Sequence, residues 1–214
     1  IEHAIVTHPN AEIVSRQVEG GIFRCTYGQA AARAKQLANA LTQKLGIQVG
    51  DRIGTLAWNT YRHYELYFFF LFMGAVAHTI NPRLFPEQII YIVNHAADRF
   101  IFVDLTFVPL LEAVASHISK VEGIVVLTDK AHMPTSSKLS NLICYEDLVA
   151  DMSTEFNWPL LDENCDAALC YTSGTTGNPK GAVIPHRALI GNLPGFVASQ
   201  NWFGFDGQAN AESQ

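Results

Sequence analysis

A mostly parallel α/β sheet with flanking helices is the fold this sequence predicts, and two observations predict it. Short apolar runs suited to buried strands alternate with stretches of roughly ten to fifteen residues whose apolar positions recur at helical spacing. Hydrophobic residues make up 49% of the 214 and charged residues 16%, enough apolar material to fill a substantial core. Crossovers between parallel strands are right-handed, and ligands gather at the carboxyl ends of the strands.

The elements follow in order. "EIVSRQ" and "GIFRCTY", joined around Glu19-Gly20-Gly21, read as a β-hairpin. "TYGQAAARAKQLANALTQKL" reads as an amphipathic helix. Thr26 and Gln29 have capping-box spacing, Ala30, Ala34, Leu37 and Leu41 share a face, and Gly46 sits just past the end. "RIGTLAW" is a strand, and "TYRHYELYFFFLFM" a helix with Asn59 as its expected cap. "AVAHTI" is a strand, and "PEQIIYIVNHA" a helix with Pro86 at its favoured first position. "RFIFVD" is a strand, "TFVPLLEAVASHI" a helix despite Pro109, and "GIVVLT" a strand. Residues 129–138, "DKAHMPTSSK", read as a mobile loop, and "DAALCYTS" is the last clear strand.

The continuous run "LYFFFLFMGAVA", residues 66–77, is 12 residues long, and a helix needs ~20 to cross a bilayer. It reads as a buried helix ended by Gly74 and followed by a buried strand, so membrane contact is disfavoured. The net charge of −6 argues against nucleic acid as the main partner. Four cysteines without framework spacing read as reduced thiols of a cytoplasmic protein. His63, His78 and His95 lack metal-ligand spacing and read as structural, and no metal site is expected. Phe68, Phe69 and Phe70 read as core, and "NPRL" at 81–84 as a strand-to-helix turn. No secretory signal is visible, and the chain opens on Ile1, which reads as a missing start.

One stretch stands apart. "LCYTSGTTGNPKGAVIPHRAL", residues 169–189, follows a strand with a loop of hydroxyls and glycines carrying one cation, Lys180. Neutral donors, a permissive backbone and one point charge suit a polyphosphate. The loop fails the P-loop pattern, because Pro179 precedes Lys180 and Gly181 follows it. It also fails the dinucleotide fingerprint, and no Gly-x-Ser-x-Gly elbow surrounds Ser173. The rival reading is a flexible turn.

"YTSGTTGNPKGAVIPHRAL" resembles the phosphate-binding signature of the adenylate-forming superfamily of acyl-CoA synthetases, luciferases and peptide-synthetase adenylation domains. "WNTYRHYELYFFFLFMGAVAHTINPRLFPEQIIYIVNHAADRFIFVD" is similar to the amino-terminal part of medium-chain acyl-CoA synthetases, nearest the methylmercaptopropionate–CoA ligase group. The resemblance implies a partial amino-terminal AMP-binding (adenylation) domain over residues 1–193, with 194–214 a divergent tail. It implies an AMP-forming acid–thiol ligase: a fatty or methylmercapto carboxylic acid, ATP with Mg2+, and coenzyme A as co-substrate. Thr172, Ser173, Thr175, Thr176 and Lys180 are then ATP or pyrophosphate contacts, with Lys180 the catalytic candidate. Gly174, Gly177 and Gly181 form the backbone frame, and His186 either faces the acyl or nucleotide site or is a helix-capping or surface histidine.

By the same likeness the adenine-binding segment, the hinge and a late catalytic lysine fall outside these residues, so the chain reads as a fragment. Two other functions stay open: a truncated, non-catalytic nucleotide- or pyrophosphate-binding protein, and an adenylation module passing its acyl group to a carrier protein. A cut sheet leaves strand edges uncovered, so the isolated chain is expected to be poorly soluble or to associate, with a homodimer one form of that.

Overall fold

The computed structural model describes residues 2–135, 138–172 and 178–191. Helix α1 (Glu2–Thr7) precedes a hairpin of β1 (Glu12–Arg16) and β2 (Ile22–Thr26), with Val14 opposite Arg24. Helix α2 (Tyr27–Lys44) starts at the expected capping box. The Thr26 hydroxyl accepts from the Gln29 amide at 3.2 Å, and the Gln29 side chain accepts from the Thr26 amide at 2.9 Å. Two first-turn donors are thus satisfied.

Strand β3 (Arg52–Leu56) leads to α3 (Tyr61–Met73), β4 (Val76–Thr79), α4 (Pro86–Ala96) and β5 (Phe100–Val103). The cap position of α3 is Thr60, not Asn59, and the Thr60 hydroxyl makes no capping bond. The Tyr61 amide instead donates to the Ser15 hydroxyl at 2.9 Å, so the hairpin supplies the partner from outside the helix. Gly74 ends α3 with φ +74, in the left-handed region, and a Cβ there would sit 2.7 Å from Leu161 Cδ2.

The helix expected over 106–118 is broken into a 3₁₀ turn (Leu105–Phe107), α5 (Val108–Val114) and a second 3₁₀ turn (Ala115–His117). Pro109 fits because it falls in the first turn of α5, where its missing N–H costs no bond. Strand β6 (Gly123–Val126) follows. The polar stretch after it contains a 3₁₀ turn at Lys130–His132 capped by Asp129. Strand β7 (Leu142–Cys144) and α6 (Tyr145–Val149) were not anticipated. Strands β8 (Asp166–Thr172) and β9 (Lys180–Pro185) and helix α7 (His186–Gly191) complete the described chain.

Seven strands form one sheet in the order β7-β6-β5-β3-β4-β8-β9. Every neighbouring pair is parallel except β8 and β9. One face carries Leu37, Leu41, Phe69, Phe70 and Tyr145 from α2, α3 and α6; the other carries Ile89, Ile92, Val93, Leu111 and Val114 from α4 and α5. Phe69 and Phe70 are fully buried core, whereas Phe68 is half-buried.

A buried polar network closes the α2–α3–α6 face. Arg33 grips Glu65 (Nε–Oε1 2.5 Å) and Glu146 (3.0 Å), and Tyr145 donates to Glu65 at 2.7 Å. Arg62 donates to Glu146 at 2.8 Å, to Glu19 at 2.7 Å and to the Leu127 carbonyl at 3.1 Å. Glu19, placed by its sequence in a hairpin turn, has a buried carboxylate that pins the turn to Arg62 and Thr128. Burial pulls Glu146 upward, but Arg33, Arg62 and Tyr61 pull it further down, so its net shift is downward and it stays charged.

Candidate functional site

Strand β8 runs parallel to β4, with His78 beside Leu169 and Thr79 beside Cys170. Its carboxyl end therefore lies on the same edge as those of β3 to β7, where open α/β sheets bind ligands. Strand β9 returns antiparallel, with Thr172 opposite Lys180 and Tyr171 opposite Gly181. The two strands form a neck whose last pair is Thr172 and Lys180.

Strand alternation sorts the side chains at this neck. Ala168 packs on the α2–α3 core, and Tyr171 on the α4–α5 side. Thr172 and its partner Lys180 therefore share the α3 face, while Tyr171 occupies the other. Thr172 and Lys180 are both exposed, and Lys180 forms no ion pair among the described residues. A hydroxyl and an unspent ammonium, side by side at the root of the loop, can hold an anion. Ser173, Gly174, Thr175, Thr176 and Gly177 lie outside the described residues, as does the division at residue 193.

Gly181 is exposed, and a Cβ on it would fall 3.2 Å from Tyr171 Cε1 and Cζ and 3.2 Å from Leu169 Cδ1. Its smallness serves the ring across the ladder. His186 opens α7; its amide donates to the Cys165 carbonyl at 3.0 Å. Its ring Nε2 is buried with no partner among the described residues.

The three upstream histidines are placed by packing. His63 has both ring nitrogens at 3.1 Å from partners, the Trp58 carbonyl and the Thr55 hydroxyl, and burial holds its pKa down. His78 is fully buried, and its Nδ1 lies 2.7 Å from Asp98 Oδ2. Burial raises the Asp98 carboxyl despite His78 beside it. His95 Nδ1 and the Tyr171 hydroxyl lie 2.6 Å apart, within hydrogen-bond distance. Burial, then the Asp98 charge, pushes the Tyr171 phenol up, so it stays protonated at neutral pH. Among the described residues no three His, Cys, Asp or Glu side chains converge as a metal site.

The topology marks a second place that motif reading missed. The chain moves from β3 out to β4 and then back across to β5, so the strand order reverses between β3 and β5. A crevice of about 350 Å³ opens there, lined by Arg16, Gln17, Trp58, Asn59 and Thr106. Beneath it the Asp104 carboxylate accepts from the Trp58 amide at 2.6 Å. Only strand order could have revealed it.

The sequence comparisons bear on this geometry. The family model described as "AMP-binding enzyme" matches residues 1–210. The chain belongs to the AMP-binding enzyme family. A 3-methylmercaptopropionyl-CoA ligase of Ruegeria lacuscaerulensis is 46% identical over 190 residues, covering 89% of this chain and 35% of the relative. A medium-chain-fatty-acid–CoA ligase of Ectopseudomonas oleovorans is 42% identical over 190 residues, covering 89% of this chain and 34% of the relative. Among solved structures, the anthranilate CoA ligase AuaEII in complex with anthranoyl-AMP aligns with a TM-score of 0.73 at 25% identity. That alignment covers 86% of this chain and 34% of the other. The chain thus spans about a third of the length of the curated relatives it matches. The likeness to the adenylate-forming superfamily and the mostly parallel α/β fold both hold in this AMP-binding chain.

Proposed function

We propose that this AMP-binding chain is part of an ATP-dependent, AMP-forming acyl-CoA ligase acting on a fatty or methylmercapto carboxylic acid. The observation that carries the reading is the Thr172–Lys180 neck at the carboxyl end of β8 in a chain of this family. An exposed ammonium and hydroxyl on one face fit a triphosphate.

In the first step a carboxylate oxygen attacks the α-phosphorus of ATP. The bond to the bridging oxygen breaks, and pyrophosphate leaves as the acyl-adenylate forms. Lys180 would offset the charge that builds on pyrophosphate, with Thr172, Ser173, Thr175 and Thr176 donating to its oxygens. Gly174, Gly177 and Gly181 would let the backbone approach, and His186 would stand at the far end of β9. Mg2+ would supply further neutralisation of the phosphates when bound. In the second step the coenzyme A sulfur attacks the acyl carbon, and AMP leaves with the electron pair of the broken C–O bond. Four free cysteines support a cytoplasmic setting. No described helix is long and apolar enough to cross a membrane.

The test uses the intact protein as its gene encodes it. Exchange of labelled pyrophosphate into ATP should depend on an added acid, with octanoate and 3-methylmercaptopropionate as probes. Nucleotide binding without exchange for either acid would replace this reading with a non-catalytic one.

A further inference from the structure

Among the described residues strand β9 pairs with β8, and its first four residues are exposed. We propose that Tyr171 is the positioning residue for Lys180, its ring seated against Gly181 and its hydroxyl tied to His95 of α4. The inference rests on the ligase reading for what Lys180 does, but its geometry stands apart from that reading.

Three contacts meet at Tyr171. Across the ladder, a Cβ on Gly181 would fall 3.2 Å from Tyr171 Cε1 and Cζ and 3.2 Å from Leu169 Cδ1, so a side chain there would make the ring give way by a few tenths of an ångström. The backbone of Gly181 is not in the left-handed region, so glycine serves the close approach of these side chains and not a special conformation. At its tip the hydroxyl forms a hydrogen bond with His95 Nδ1 at 2.6 Å, and the two rings meet edge to face at 5.8 Å. His95 is itself stacked on Tyr91 one helical turn earlier, at 5.3 Å.

Beneath lies a floor that cannot shift easily. The His78 ring sits 5.1 Å from the Tyr171 ring, and His78 is locked to Asp98, both wholly buried. Gly54 of β3 makes room for that pair, since a Cβ there would fall 3.1 Å from Asp98 Oδ2. Helix α4 and strand β4 are thereby connected, through one tyrosine, to the residue next to Lys180. Phenylalanine would fill the space but lose the tether to α4, leaving the neck free to twist about β8.

The experiment compares Tyr171→Phe, His95→Ala and the double variant in the intact protein. Each single change should raise the KM for ATP about two- to fivefold, the effect of one modest hydrogen bond. The KM for the acid and the melting temperature should stay put. The double variant should be no worse than either single one, because both remove the same bond. An unchanged KM for ATP in both single variants, or full additivity, would overturn the assignment, as would KM values for ATP and acid rising together with a falling Tm. A second readout needs no turnover: amide exchange at Gly181 and Ala182 should accelerate in Tyr171→Phe while β3 and β5 amides hold. Unaltered exchange there sinks the tether. Absence of pyrophosphate exchange in the wild-type protein would instead sink the ligase reading, and amide exchange alone would then decide the tether.

Discussion

Arg62 and Lys180 are both cations at the carboxyl side of one sheet, and they are held in opposite ways. The Arg62 side chain is 4% exposed and reaches Glu146 through Nε and Glu19 and the Leu127 carbonyl through Nη1. Lys180 stands exposed on an edge strand with no ion pair among the described residues. A buried charge must be matched inside the protein, because water cannot do it. An exposed one can be left unmatched at little cost and is then available to a ligand.

The largest test strikes the spent charges. Glu65 is almost wholly buried and joins Arg33 to the Tyr145 hydroxyl. Glu65→Ala leaves both without that carboxylate, and breaking a buried pair on one side typically costs about 3–5 kcal/mol. Urea denaturation of the variant should show a loss of that size. A loss below about 1 kcal/mol would mean that Glu146 alone can balance Arg33, and the contrast with Lys180 would weaken.

A smaller effect comes from Asp104, a charge that is buried but only half matched. One oxygen accepts from the Trp58 amide, and the other has no partner among the described residues. Burial pushes its pKa up to about 6, a rise that the Trp58 amide only partly offsets. In the unfolded chain an aspartate titrates near ~3.9. Between those values the folded state binds more protons than the unfolded one, so stability falls as pH rises through the window. The full span amounts to about 3 kcal/mol. Asp104→Asn keeps an acceptor for Trp58 and removes the charge, so the slope over this window should flatten and the variant should gain on the wild type at neutral pH. Parallel slopes in the two proteins would place the titration elsewhere.

The two kinds of charge were not equally legible. The Thr26–Gln29 box, Pro86 and Gly74 act within a few residues of themselves, and each does what local chemistry demands. Lys180 stood out because residues 172–181 gather hydroxyls, glycines and one cation in one short stretch. The network did not: Arg33, Arg62 and Glu146 come from three distant elements, and only folding brings them together. For the same reason Glu19 passed for a turn residue. Strand β7 spans three residues, too few for alternation to register, and the 3₁₀ turns on either side of α5 interrupt a helix that periodicity would have run through. That Gly181 has the Tyr171 ring of the facing strand as a near neighbour could not be seen either, because the pairing forms only on folding.

The smallest effect on stability is expected at Lys180, and there the comparison is sharpest. Lys180→Ala removes an exposed side chain with no ion pair among the described residues, so unfolding free energy should change by less than about 0.5 kcal/mol. The same substitution in the intact protein should slow carboxylate-dependent pyrophosphate exchange by ~100- to 1,000-fold, the usual toll of losing one aimed group that stabilises developing charge. Glu65→Ala should show the reverse ranking, with its main loss in stability. A Lys180 variant that unfolds readily would make the lysine part of the scaffold. One that exchanges at the wild-type rate would leave the loop's hydroxyls and amides to carry the phosphates alone. Lys180→Arg adds a check on the charge itself: a guanidinium keeps the cation but spreads it over a plane. Partial recovery would show that the neck needs a positive charge there, and full loss would show that it needs the compact ammonium.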